Sequence, residues 1–383
     1  MSLEIREVKD RRSLKQFIDL PKRIHADHSN WVPPITREEW KYFDPKKNSA
    51  FEHSETILAL AWRNDEAIGR IMGIINRTYN ESRKEKNARF AYLECPNEQE
   101  VAHFLLNFIE CWARERGMNR IVGPMGFSDQ DPEGYLIEGF EHEPTLSTYI
   151  NFPFLIELLE RERYTKEVDY IVYKLDITGE IPDFYRRIHK RISKNQNFTL
   201  IEFTKRNQIK PYIRAMFGLM NETFKENYGY VSLDEKEMDD LGKKCLPVVD
   251  PRFVKLIQKD GEAVAFVIGI PNMAPGIRRA KGRIFPFGLF NILRAMKATK
   301  QLDLYLGGIK AEYRGKGLDV MLGVPMIESA QRAGFTFMDS HHELETNLKM
   351  RAEMERLGGK IYKRYRIFQK DLNDDDIFKR RIK

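Results

Sequence analysis

Leu302-Asp303-Leu304-Tyr305-Leu306-Gly307-Gly308-Ile309-Lys310-Ala311-Glu312-Tyr313-Arg314-Gly315-Lys316-Gly317-Leu318-Asp319-Val320-Met321-Leu322 decides the reading of this chain. An apolar strand runs into a glycine-containing turn and then into an amphipathic helix. Arg314 to Leu318 would line up successive backbone N–H groups at the helix N-terminus. The positive end of a helix favours an anion, and glycines let the backbone come close to it. A pyrophosphate is the natural guest. The turn is neither the GxxxxGK[ST] loop of nucleoside triphosphatases nor the GxGxxG loop of dinucleotide-binding folds.

Working outward, the same order of elements appears twice. Glu66-Ala67-Ile68-Gly69-Arg70-Ile71-Met72-Gly73-Ile74-Ile75-Asn76 aligns with Glu262-Ala263-Val264-Ala265-Phe266-Val267-Ile268-Gly269-Ile270-Pro271-Asn272, at an offset of 196. Each follows a polar turn and reads as the second strand of a hairpin. The offset recurs at Ile5 and Ile201, which open short strands followed by helices, and at Asn151 and Asn347, which open later helices. Basic strands follow both, over 170–175 and 361–369. Such a repeat is the mark of a duplicated unit. The second copy has extra material over 275–300, with a helix near 290–300. The first has a long loop over 127–148, of a length that is often functional. Mixed α/β units follow, with the join at a basic amphipathic helix after Pro182.

Composition narrows the classes. The chain has 383 residues, 42% hydrophobic and 32% charged, which suits two or three globular domains and excludes wholesale disorder. Cys95, Cys111 and Cys245 lie far apart with no CxxC pair, so neither a disulfide scaffold nor a cysteine-rich zinc site is expected. The first residues are charged where a secretory signal needs an apolar run, and no window approaches a membrane span. A cytoplasmic protein with no transmembrane segment is the expectation. The net charge of +7 suits a polyanionic partner. Aromatics do not interleave with the basic runs (186–191, 278–283 and 379–381), so nucleic acid is not the expected partner.

The stretch around Arg314 resembles the GCN5-related N-acetyltransferase superfamily. Its signature, V-x-P-x-x-[RQ]-x-x-G-x-[GA], reads here Ile309, Ala311, Arg314, Gly317 and Asp319, with Ala311 in place of the usual proline. The strand 335–339 follows, then Asn347 and a helix ending Glu355-Arg356-Leu357-Gly358-Gly359, close to the family's N-x-x-A-x-x-x-Y-x-x-x-G-F. The resemblance implies an α/β fold of two tandem acyl-CoA N-acyltransferase-like domains. Each would be a mixed, mostly antiparallel sheet flanked by helices. The expected domains are 1–178, a degenerate copy with a structural or acceptor-side role; 179–195, a linker helix; and 196–383, the copy with the coenzyme A pyrophosphate loop. Gly308, Ile309, Arg314, Gly315, Lys316, Gly317 and Leu318 would bind acetyl-CoA or another acyl-CoA, the donor substrate. Asp319 stands where glycine or alanine is usual. Met354 stands where a tyrosine protonates the leaving thiolate, and Tyr362 or Tyr365 are the substitutes on offer. In the first copy the matching turn, Glu94-Cys95-Pro96-Asn97-Glu98-Gln99-Glu100, has three carboxylates and no glycine or arginine, so it should repel a pyrophosphate.

Acyl transfer to an amine needs a base for the ammonium proton. The candidates end a strand opposite the turn: Glu345 with Asn347 first, then His341 or His342. Successive strand residues face opposite ways, so at most one of these histidines faces a site. No metal is expected, since His341, His342 and Glu343 lack the spacing of HExxH. The functional expectation is an acyl-CoA-dependent acyltransferase with an unidentified amine or hydroxyl acceptor in an inter-domain cleft. The alternatives are an aminoacyl-tRNA-dependent transferase and a non-catalytic ligand-binding protein on the same fold. The sequence leaves the oligomeric state open, a homodimer being one option.

Overall fold

The computed structural model describes residues 3–194 and 197–373. The expected domain boundary at 195/196 and the basic run 379–381 lie outside the described residues. The strands are β1 (Leu3–Glu7), β2 (Ser54–Arg63), β3 (Glu66–Asn76), β4 (Asn87–Glu94), β5 (Arg120–Gly123), β6 (Tyr135–Glu138), β7 (Thr165–Asp176), β8 (Thr199–Glu202), β9 (Val254–Lys259), β10 (Glu262–Pro271), β11 (Gln301–Ile309), β12 (Phe337–Asp339), β13 (Glu343–Leu344) and β14 (Lys360–Asp371).

The chain forms two compact units. The first holds the chain up to Tyr170, Ile277–Asn291 and the chain from Lys363; the second holds Ile171–Gly276 and Ile292–Tyr362. In the first unit β1, β2, β3 and β4 pair antiparallel, β5 joins β4 in parallel, and β14 joins β5 antiparallel. In the second, β8, β9, β10 and β11 pair antiparallel, β12 joins β11 in parallel, and the end of β7 joins β12 antiparallel. The two sheets share one pattern. Each takes its sixth strand from the other half of the sequence. For this reason the units do not divide at 178, where a reading by sequence order puts the boundary.

Strand β3 shows why the repeated segments are nearly all apolar. Ile71 and Ile75 belong to one core, with Phe90, Val101, Leu105, Ile109 and Trp112. Met72 and Ile74 belong to another, with Phe17, Ile18 and Leu20. Alternate side chains point to opposite faces, and a strand buried on both faces needs an unbroken apolar run. The helix Gln99–Glu115 covers one face and the helix Arg11–Ile24 the other. In the second unit the helix Leu318–Arg332 packs with Ile257, Val264, Ala265 and Leu302. The helix Ile213–Phe224 lies on β11, where Thr223 is so close that a Cβ on Gly308 would meet its hydroxyl at 2.6 Å.

Candidate active site

The site grows from a fork in the second sheet. β11 and β12 pair from Gln301/Phe337 only as far as Asp303/Asp339. Beyond this point β11 runs on to Ile309 beside β10 alone, while the other arm turns away at Ser340 and His341. A register shift against β10, between Ile268 and Gly269, leaves Tyr305 as the extra residue of β11. Bulges re-aim side chains and end pairing. None of Leu304 to Ile309 is fully buried, so this arm of the fork is open.

The other arm carries the expected acid–base residues. His341 has φ of +61°; its N–H donates to Asp339 Oδ1 (2.7 Å) and its carbonyl accepts from Ser340 Oγ (2.9 Å). Its ring stands edge-on to Tyr305 across the fork, with centroids 5.7 Å apart, and tilted against His342 at 5.2 Å. Tyr362 donates to the other oxygen of the buried Asp339. That places a phenol at the base of the fork. Tyr365 lies in the first unit, where its hydroxyl is 3.4 Å from Thr148 Oγ1. Met354 packs with Ile171, Tyr173 and Leu304 and is a core residue.

Two of the expected residues take local structural duties. Asn347 caps the helix Leu348–Arg356, its side-chain oxygen accepting from Met350 N–H at 3.4 Å. Such a cap is the ordinary work of an asparagine at that position. The main-chain carbonyl of Glu345 accepts from Arg351 Nη1 (3.0 Å). The carboxyl that stands out is Glu343, a half-buried residue at the start of β13. Burial pushes it up to about 8. The adjacent His341 and His342 are the more conspicuous side chains in the sequence, and no local pattern marks the desolvation of this carboxyl.

At the end of β11 the chain makes the turn that opens the helix Leu318–Arg332. Gly315 and Gly317 have φ of +73° and +85°, a region that a side chain resists. A Cβ on Gly317 would also meet Ile192 Cδ1 at 2.0 Å, because the helix Asp183–Ile192 packs against the turn. Leu318 is buried and anchors the first helical turn. The Arg314 side chain is exposed and folds back, Nε donating to the Ile309 carbonyl at 3.1 Å. The Lys316 ammonium sits 5.0 Å from the Tyr313 ring centre. Asp319 is exposed in the first helical turn, where a carboxylate suits the helix dipole. The turn therefore offers two cations and the free N–H groups of a helix start.

The corresponding fork of the first unit is filled. β4 and β5 pair from Asn87/Arg120 to Arg89/Val122. Past that point Met125 N–H donates to the Phe90 carbonyl (2.9 Å) and the Tyr135 hydroxyl to the Leu93 carbonyl (2.7 Å). Asn87 to Leu93 are all buried. The carboxylates in the next turn are held by their own partners. Glu94 meets His25 Nε2 at 2.7 Å and Arg70 at 3.6 Å, and Glu98 takes a two-point pair from Arg63 (3.1 and 2.6 Å). Burial works against the Glu94 charge, yet His25 and Arg70 keep its pKa below the usual value. Cys95 is buried, which pushes its thiol up and leaves it a poor nucleophile. Among the described residues no group of His, Cys, Asp and Glu could hold a metal ion.

Two units of this topology, each with a strand fork, define the fold of a tandem GCN5-related N-acetyltransferase. A tandem protein of that kind from the clavulanic acid biosynthesis pathway matches with a TM-score of 0.56 and 12% identity, over 98% of this chain and 100% of that one. A GCN5-related N-acetyltransferase from Sphaerobacter thermophilus matches with a TM-score of 0.52 and 14% identity, over 97% and 96%. In sequence, the chain is 29% identical over 378 residues to the bacterial ceramide synthase of Caulobacter vibrioides, covering 97% of this chain and 98% of that protein. It is 24% identical over 377 residues to protein YghO of Escherichia coli, covering 96% and 95%. No family profile matches the chain.

Proposed function

We propose that the chain is an acyltransferase that moves a fatty acyl group from coenzyme A to the amine of a long-chain amino alcohol. The observation that carries the reading is the open fork of β11 and β12, with a basic, glycine-bearing helix start at its end. The end-to-end similarity to a protein named ceramide synthase supports an amine acceptor on a lipid chain. Gly315, Gly317 and Leu318 would present N–H groups to the pyrophosphate, with Arg314 and Lys316 supplying the charge. The acyl thioester would lie along Leu304 to Ile309, and N–H groups near Gly308 and Ile309 would polarise its carbonyl.

The amine must lose a proton before it attacks. Glu343, held near 8, is the base we favour, since a base works best with a pKa near the operating pH. His341, across from Tyr305, is the alternative. As the C–N bond forms and the C–S bond breaks, the thiolate leaves and takes a proton, for which the Tyr362 hydroxyl at Asp339 is the candidate donor. The test is calorimetric titration of the purified chain with acetyl-CoA and a long-chain acyl-CoA. It is followed by an assay for amide formation with a long-chain amino alcohol. Micromolar binding and amide product are expected, and binding should weaken on Arg314→Glu. That exposed position is a better probe than Gly317, where any side chain strains the fold before a ligand is considered. Absence of binding by every acyl-CoA would overturn the reading.

A further inference from the structure

The segment Ile284–Lys300 is turned inside out. In the helix Gly288–Ala298, the small or aliphatic Gly288, Ile292 and Ala295 face inward and are buried. Leu289, Phe290 and Leu293 face outward and are exposed, Phe290 at 65%. Just before the helix, Phe285 and Phe287 are 73% and 74% exposed. A Cβ on Gly288 would meet the Arg283 carbonyl oxygen at 1.7 Å, so the turn that presents these two rings is tight. Five large apolar side chains on one turn and one helix face make a patch of a kind that soluble monomers seldom leave bare.

The charge around the patch has one sign. No carboxylate occurs from Ala263 to Leu302, while Arg278, Arg279, Lys281, Arg283, Arg294, Lys297 and Lys300 all fall within it. Arg278 pairs with Glu143, and Lys300 donates to the Gly334 carbonyl at 3.1 Å. Arg283, Arg294 and Lys297 are exposed beside the phenylalanines. An outward apolar strip ending in lysine and arginine is the pattern of a helix lying in a membrane interface.

We propose that Phe285, Phe287, Leu289, Phe290 and Leu293 form an interfacial anchor that seats the protein on an anionic bilayer, with Arg283, Arg294 and Lys297 on the lipid phosphates. The rings enter the boundary between headgroups and acyl chains, and the cations stay at headgroup level. A second copy of the chain suits the patch less well. A twofold interface would set the same cations against one another. The proposal stands on the surface alone and does not depend on the acyl-CoA reading.

The test is co-sedimentation of the full chain with vesicles of phosphatidylcholine alone and of phosphatidylcholine with phosphatidylglycerol. Binding to the anionic vesicles is expected, falling several-fold as salt rises from about 0.05 to about 0.5 M. Phe287→Ser with Phe290→Ser should lower it at least about tenfold, with an unchanged melting curve and unchanged acyl-CoA titration. Arg294→Glu with Lys297→Glu, at exposed positions, should lower it too and remove most of the salt dependence. No binding of the wild type to anionic vesicles, or undiminished binding by both double variants, overturns the proposal. So does a solution dimer that the same substitutions split, since the patch would then be a self-interface.

Discussion

The two forks are the same device put to different ends. In the first unit the gap past β4 and β5 is closed by Met125 and Tyr135, and the next turn carries carboxylates tied to Arg63, Arg70 and His25. In the second unit the gap past β11 and β12 is left open, and the next turn carries Arg314, Lys316 and two left-handed glycines. Both forks carry a bulge in the inner strand just past the last pair: Tyr92 has φ of +55° in β4, and Tyr305 is the extra residue in β11. The bulge alone thus does not set the two forks apart. What fills the gap, and the charge at its end, do.

The largest effect is expected at Glu343. Glu343→Gln should lower kcat by about 10²- to 10³-fold with KM little changed, the range expected for loss of a general base. The wild-type pH–rate profile should rise through about 8, where its carboxyl is held. A profile flat from pH 6 to 9, or full activity in the variant, would move the base to His341 or Glu345. Next in size is Arg314→Glu with Lys316→Glu, which should weaken acyl-CoA about 10- to 100-fold in titration calorimetry. The matching change in the first unit, Glu98→Gln, should leave that affinity unaltered. Equal effects from the two turns would erase the distinction between them.

Tyr135→Phe probes the filled fork. It removes one buried hydrogen bond and should cost about 1–2 kcal/mol in urea unfolding, with acyl-CoA affinity intact. The smallest effect concerns pH. Burial raises Glu39 and Asp129 to about 7, and burial, then the neighbouring Asp129, raises Glu133. These carboxyls hold protons in the fold at pH values where the unfolded chain has released them. Their contribution is therefore complete below about pH 4 and is lost as pH rises through about 7. His28, lowered by burial, pulls the other way. Thermal melts should show lower stability at pH 8 than at pH 5, and Glu39→Gln should raise the melting temperature at pH 8 but not at pH 5.

Much of this was legible in the sequence because it is local. The apolar runs that make β3 and β10 strands buried on both faces, the glycines of the Arg314 turn and the carboxylates of its counterpart all show in short windows. Asn347 as a helix cap was legible too, yet its place near the histidines drew it into the acid–base set. Other features are set by distant partners. Nothing near Tyr170 or Lys363 says which sheet will take their strands. The burial that lifts Glu343, and the folding of Met125 and Tyr135 into the first fork, depend on packing that no short window records.

The exchanged sixth strands bear on how the protein comes off the ribosome. β5 is made early, but β14, which must lie beside it, is among the last described segments to be synthesised. The first sheet therefore stays one strand short through most of translation, its β5 edge bare. The second has its sixth strand waiting before β8 to β12 exist. A chain cut near the linker would give two incomplete pieces, each holding the strand the other lacks. Their recovery should depend on expressing both in one cell, as an assembly of fragments and not as two domains.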